Sequence, residues 1–194
     1  MEQEFKLSDC PVEVLQDEKE FAEFMEFYKQ LAPKKVLEIG SFYGGTLWHF
    51  LKYSKLETLT CIDMQIPPAD ERYSQMVVSR IKWPSWVGTY MPNGRFNDIP
   101  GNSQWESVIS TAKNLHPEND IDLLHIDGDH SYQGVKADYE NYKGMVRPGG
   151  VIVFHDIFGI EDVNRLWEEV KRNYPKTRQI TQPGGWGIGI LYVV

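Results

Sequence analysis

Between Asp17 and Ala32 the apolar residues Phe21, Phe24, Met25, Tyr28 and Leu31 recur at helical spacing, with Glu18, Glu20, Glu23 and Glu26 on the opposite, polar side. This predicts an amphipathic helix that stops near Pro33. A short apolar run, Val36 to Ile39, comes next, then a turn from Gly40 to Thr46 holding three glycines, then a second helical pattern through Leu47, Phe50 and Leu51. The reading is strand, glycine-rich turn, helix. The same grammar repeats downstream. Leu59 to Ile62 ends at Asp63, Ile121 to Ile126 ends at Asp127, and Val151 to Phe154 ends at His155-Asp156. Helical patterns run through Trp105, Val108, Ile109, Ala112 and Leu115 and through Val163, Leu166, Trp167 and Val170.

Strands that alternate with helices require a parallel sheet with right-handed crossovers and helices on both faces. The tail from Gly187 to Val194 is strand-like and follows a strand candidate near Gln179 to Thr181 with no helix between, so these two should form an antiparallel hairpin on the sheet edge. The expectation is a single-domain, Rossmann-like, doubly wound and mostly parallel α/β sheet with an antiparallel terminal hairpin. Residues 1–33 form an N-terminal helical segment packed on a domain spanning 34–194. The stretch from Gln65 to Arg95 is the least regular; a short helix from Tyr73 to Ile81 is expected inside it and surface loop elsewhere.

A length of 194 residues fits one domain, and 41% hydrophobic with 25% charged residues excludes wholesale disorder. A net charge of -8 argues against a protein that grips nucleic-acid backbone. Two cysteines, Cys10 and Cys61, are too few for a disulfide framework, and no apolar run is long enough for a membrane span. The acidic start, MEQEFKLSDC, lacks the features of a signal peptide, so the expected location is the cytoplasm.

In an open parallel sheet ligands bind beyond the carboxyl ends of the strands, which here carry Glu38, Asp63, Asp127, His155 and Asp156. Glycines at 40, 44 and 45 let a ligand approach bare backbone, and the next helix offers free N–H groups. Asp63, about 20 residues downstream, is placed to accept from both ribose hydroxyls of a nucleoside. His130 follows Asp129 in a turn beyond a strand end, where proton transfer is feasible near neutral pH, and His155 adjoins Asp156. His49 and His116 read as surface or packing residues, and His125 as a hydrogen-bonded structural histidine within its strand. Trp83, Trp86 and Trp186 fall in loop-like segments, where they either cover the core or wall water from a small substrate.

Glu38-Ile39-Gly40-Ser41-Phe42-Tyr43-Gly44-Gly45 resembles the E-x-G-x-x-x-G turn of class I S-adenosylmethionine-dependent methyltransferases. A second block, Ile126-Asp127-Gly128-Asp129-His130-Ser131-Tyr132, continuing through Asp138 to Pro148-Gly149-Gly150 and His155-Asp156, is similar to the branch that includes the cephalosporin hydroxylase-like and macrocin O-methyltransferase-like proteins. The resemblance covers about Lys34 to Ile157 and the terminal strands. It implies that Glu38, Gly40, Gly44, Asp63, Asn102, Ser103 and Asp127 bind S-adenosyl-L-methionine. Asn102 and Ser103 would lie along the adenine, stand where many relatives carry Asp at 102, and double as a cap for the next helix. Met64 would pack on the adenine or simply in the core.

The resemblance further implies Mg²⁺ held by Asp127, His155 and Asp156, with Asp129 or His130 removing the proton. His155 departs from the Asp or Glu that often precedes the last acid, and imidazole is a poor Mg²⁺ ligand. The function expected is methylation of a small molecule, at a hydroxyl, with metal assistance as an option. The methyl acceptor's pocket is expected among the N-terminal helix, the Gln65 to Arg95 region and the loops around Phe158 and Pro183 to Trp186. The partner is that small molecule, with no nucleic acid or membrane; a homodimer is the family-level expectation. A degenerate cofactor-binding module and a nicotinamide-dependent oxidoreductase are the alternatives.

Overall fold

The computed structural model describes residues 5–64 and 69–194. Seven strands form one sheet: β1 (Lys35–Ile39), β2 (Thr58–Asp63), β3 (Arg95–Pro100), β4 (Ile121–Ile126), β5 (Val146–His155), β6 (Thr177–Ile180) and β7 (Ile188–Tyr192). Their order is β3-β2-β1-β4-β5-β7-β6. β1 to β5 pair in parallel, and β7 runs antiparallel to both β5 and β6. The antiparallel pair expected at the edge is present, with β7 inserted inside β6.

Six helices cover the sheet: α1 (Glu18–Leu31), α2 (Gly45–Tyr53), α3 (Tyr73–Tyr90), α4 (Glu106–Leu115), α5 (Tyr132–Tyr142) and α6 (Glu161–Asn173). The alternation of strand side chains sorts them into two layers. Val36, Leu59, Leu123, Val151 and Val153 pack with α1, α2 and α3, including Phe24, Tyr28, Phe50 and Trp83. Leu37, Ile39, Leu124, Ile126 and Phe154 pack with α4, α5 and α6, including Ala112, Tyr139 and Trp167. Parallel strands buried on both faces must read as continuous apolar runs, and all six residues of β4 are buried.

Two expectations fail here. The segment from Tyr73 to Tyr90 is one helix of 18 residues with Pro84 inside it, where a shorter helix and a loop were expected. Proline normally ends a helix by removing a hydrogen bond, yet here burial of Trp83 and Trp86 overrides it. Neither tryptophan is a loop residue. Second, Glu20 does not share the polar side of α1. It is buried, and its carboxylate accepts N–H bonds from Gln182, Trp186 and Gly187, each at 2.9 Å. The expectation for Gln65 to Pro68 lies outside the described residues. Among those described, no helix is long and apolar enough to cross a membrane.

Candidate functional site

The strand order reverses between β1 and β4, and at such a reversal an open parallel sheet takes its ligands in the cleft beyond the strands' carboxyl ends. The turn after β1 and the turn after β4 form its two lips. Gly40 and Gly44 adopt φ of +87° and +82°, angles at which an L side chain is strained. A Cβ at Gly40 would strike the carbonyl oxygen of Asp127, and one at Gly44 would strike the Trp83 indole. These glycines are therefore required by the protein's own packing of turn against strand and helix.

Glu38 lies beneath the turn, fully buried, with Oε2 accepting from Ser41 Oγ at 2.7 Å. Burial pushes its carboxyl up to about 8, against which the Ser41 bond works, so it is neutral at pH 7. It shapes the turn from below. Asp63, at the end of β2, accepts from the backbone N–H groups of Ser41 at 2.9 Å and Phe42 at 2.8 Å, both on Oδ2. Its Oδ1 lies 2.6 Å from Arg80 Nη2. Both carboxylate oxygens of Asp63 thus have partners within the protein, where both were expected to serve a ribose.

Beyond β3, Asn102 Oδ1 accepts from Gln104 N, a turn ahead of α4, while Ser103 Oγ donates to Asp138 Oδ1 at 2.6 Å. Ser103 is held from behind, by Asp138 and by Tyr142, whose hydroxyl donates to the Ser103 carbonyl at 2.7 Å. Burial pushes Asp138 up to about 6. Met64 and Trp105 are exposed at this edge, so Met64 is not core.

At the ends of β4 and β5 the acids and histidines converge. His130 Nε2 lies 3.3 Å from Asp127 Oδ1 and 3.2 Å from Asp156 Oδ2. His155 Nδ1 lies 2.8 Å from Asp156 Oδ1 and 3.5 Å from Asp127 Oδ1. His130 bridges the two carboxylates, and His155 Nδ1 lies close to both without a well-directed hydrogen bond to either. Asp156 has a φ of +62°, rare for a residue with a side chain, and such strain persists where the surrounding structure enforces it. Burial would raise Asp127, but His155, His130 and His125 outweigh it and hold the carboxyl below its ordinary value. Burial would lower His155, yet Asp127 and Asp156 raise it to about 9. The hydrogen bond to Asp127 raises His130, with burial opposing.

The group whose ligand atoms all lie within 4.8 Å of one another is Asp127, His130 and Asp156. His130 stands in this group in place of the expected His155; His155, on the face of β5 shared with Val151 and Val153, is buried but keeps Nδ1 2.8 Å from Asp156 Oδ1. Asp129 points elsewhere: Oδ1 accepts from Ser131 N and Oδ2 from Gln104 Nε2. Burial raises Asp129, but those bonds prevail and leave it a weaker base than an ordinary carboxylate. Among the other histidines, His49 and His116 are both buried packing residues; His49 bonds the Gly45 carbonyl, and His116 bonds Thr60 and Asp120. His125 departs from expectation, since its Nδ1 has no hydrogen-bond partner among the described residues and lies 3.8 Å from Glu38 Oε1.

A family model described as a methyltransferase domain matches residues 37–157, more than half of the chain and the whole of this cleft. The chain belongs to the methyltransferase domain family. Similar proteins include the uncharacterized protein y4gI of Sinorhizobium fredii, 25% identical over 173 residues, covering 84% of this chain and 17% of that protein. An uncharacterized protein of Acanthamoeba polyphaga mimivirus is 32% identical over 126 residues, 62% of this chain and 50% of its own length. The chain therefore spans half or less of these relatives. Among solved structures, the O-methyltransferase TomG of Streptomyces achromogenes, in complex with SAM, superposes with a TM-score of 0.66 at 15% identity, over 96% of this chain and 85% of that one. This methyltransferase domain has the class I fold its motifs implied, a seven-stranded sheet with one antiparallel end.

The sequence motifs found the cleft but missed Arg80 and Glu20. Arg80 falls within the short helix expected from Tyr73 to Ile81, but nothing in the sequence ties it to Asp63. Glu20 looks like one more glutamate on a charged helix face, and only its three distant N–H donors mark it.

Proposed function

We propose that this domain binds S-adenosyl-L-methionine between the turns after β1 and β4 and moves its methyl group to a hydroxyl of a small molecule, with His130 as the general base. The observation that carries the reading is His130 itself. Its Nε2 stands between Asp127 and Asp156 at the cleft, and 41% of its side chain remains exposed to a second substrate. A sulfonium methyl is already electrophilic, so the protein has to align the acceptor oxygen and take its proton. The two carboxylates orient the imidazole and stabilise the imidazolium that forms. The same carboxylates raise its proton affinity, so His130 works as a base only as pH rises past the ordinary histidine range.

Asp63, Asn102 and Ser103 lie along the edge where the ribose and adenine would rest, with Glu38 and Gly40 shaping the turn. Support for the cofactor is the family match together with a fold shared with TomG, whose structure holds SAM. Phe158 and Trp186, both half exposed, stand on joined loops beside Asp156 and offer an apolar wall for the acceptor.

A second reading keeps a divalent ion, because three ligand atoms converge within 4.8 Å. The donor set of two carboxylates and an imidazole suits Mn²⁺ or Zn²⁺ better than Mg²⁺, which prefers oxygen. Held by Asp127, His130 and Asp156, the ion would lower the pKa of the acceptor hydroxyl. In that case His130 is a ligand and no longer the base.

The test is methyl transfer from labelled S-adenosylmethionine to a panel of hydroxylated small molecules. Transfer by the native protein that persists in EDTA and falls about a hundredfold or more in His130→Gln supports the base assignment. Full activity in His130→Gln refutes it, and loss of activity in EDTA restored by Mn²⁺ selects the second reading.

A further inference from the structure

Asp63 has less to offer a ribose than its place at the end of β2 suggests. Oδ2 is committed to the N–H groups of Ser41 and Phe42, and Oδ1 is paired with Arg80. A vicinal diol held by a carboxylate alone uses both oxygens, and here Oδ2 is already taken by two N–H groups.

Arg80 projects from α3 over the ends of β2 and β3. Its guanidinium carbon lies 4.5 Å from the centroid of the Trp83 ring, and Trp83 is in turn fixed by donating from Nε1 to the Tyr43 carbonyl at 3.2 Å. Nη1 reaches Asp98 Oδ1 only at 3.4 Å. The side chain is 11% exposed, yet Nε and Nη2 have no well-directed acceptor among the described residues, in spite of the short approach to Asp63. A buried donor left without an acceptor is unfavourable, and a planar guanidinium clamped on an aromatic face is already ordered for a ligand. An acceptor beside Asp63 would supply the well-directed partner that Nε and Nη2 lack.

We propose that Arg80 is a second ribose-binding residue: Asp63 Oδ1 accepts a hydrogen bond from one hydroxyl, while Arg80 donates to the oxygen of the other. This rests on the cofactor reading above, and it predicts a cofactor subsite made of an acid and an arginine. Asp98, whose side chain is partly exposed, balances the charge of the arginine from its far side.

The experiment is calorimetric binding of S-adenosylhomocysteine and of its 2′-deoxy and 3′-deoxy analogues to the native protein and to Arg80→Met. Arg80→Met should bind the parent compound about tenfold or more weakly, the effect of one charge-assisted hydrogen bond. One of the two deoxy analogues should lose a similar factor with the native protein and almost nothing further with Arg80→Met. Arg80→Leu, which also removes every donor, carries the same cycle if Arg80→Met does not fold. Unchanged or tighter binding by the variants overturns the proposal, as do losses that simply add for both analogues, because Arg80 then acts only on Asp63 or obstructs the site. A native protein that binds no S-adenosylhomocysteine instead overturns the cofactor reading itself.

Discussion

Gly40 and Asp127 are in direct backbone contact across the cleft: any Cβ at position 40 would collide with the Asp127 carbonyl oxygen. Asp127 N in turn donates to the Ile39 carbonyl at 2.8 Å, so the turn after β1 and the acid at the end of β4 are one unit. Gly40→Ala adds a clash with main chain to an unfavourable φ, and together these should cost about 3 kcal/mol of stability. Denaturant unfolding measures it. A variant as stable as the parent would show that the two turns can separate freely.

Glu20 is a buried carboxylate that ties α1 to the loop between β6 and β7. Glu20→Ala leaves three N–H groups without that acceptor and should cost about 2–4 kcal/mol. The loop carrying Trp186 should then open to proteolysis between residues 182 and 187 before the rest of the domain. Cleavage starting elsewhere would contradict its role as the fastening of that loop.

Glu38 has its carboxyl raised from 4.5 to about 8 in the folded protein, chiefly by burial. A raised folded pKa contributes stability that is complete below pH 4.5 and is lost as pH rises to about 8. Glu38→Gln cannot ionise, so its stability relative to the parent should improve steadily across that window. Parallel pH profiles from chemical unfolding would mean that Glu38 is ionised in the fold.

His155 supplies a second alkaline slope. With its pKa lifted from 6.5 to about 9 by Asp127 and Asp156 against the effect of burial, its contribution is complete below pH 6.5 and disappears as pH rises through 9. His155→Gln should be most damaging at pH 6 and least at pH 9.5. His49 and His125 act in the opposite direction. Burial lowers each to about 4, so stability present above pH 6.5 is lost as pH falls toward 4.

The sheet was legible because parallel strands buried on both faces leave mostly apolar runs, here interrupted only by Glu38, Asp122 and His125 in β1 and β4, and because a charged or glycine residue follows each run. Val36 to Ile39 and Ile121 to Ile126 announce themselves in this way. The α3 segment did not, since Pro84 and scattered aromatics break its periodicity and its helix is enforced by the fit of Trp83 under Gly44. Asp127 and Asp156 could be placed at one edge from topology alone. That His130 stands between them could not, because it reaches across by the path of the turn after β4, while His155 approaches from the buried face of β5. The commitment of Asp63 to Ser41, Phe42 and Arg80 is equally a matter of three dimensions.

The proposed nucleoside site for S-adenosylmethionine lies between the turns after β1 and β4. Isothermal calorimetry with S-adenosylhomocysteine and with NAD, on the native protein, tests it most directly. Saturable binding of S-adenosylhomocysteine at one site per chain, weakened about tenfold to a hundredfold in Asp63→Ala and with no heat from NAD, is the predicted result. Binding of NAD in its place, or S-adenosylhomocysteine affinity unaltered in a folded Asp63→Ala, would contradict the account.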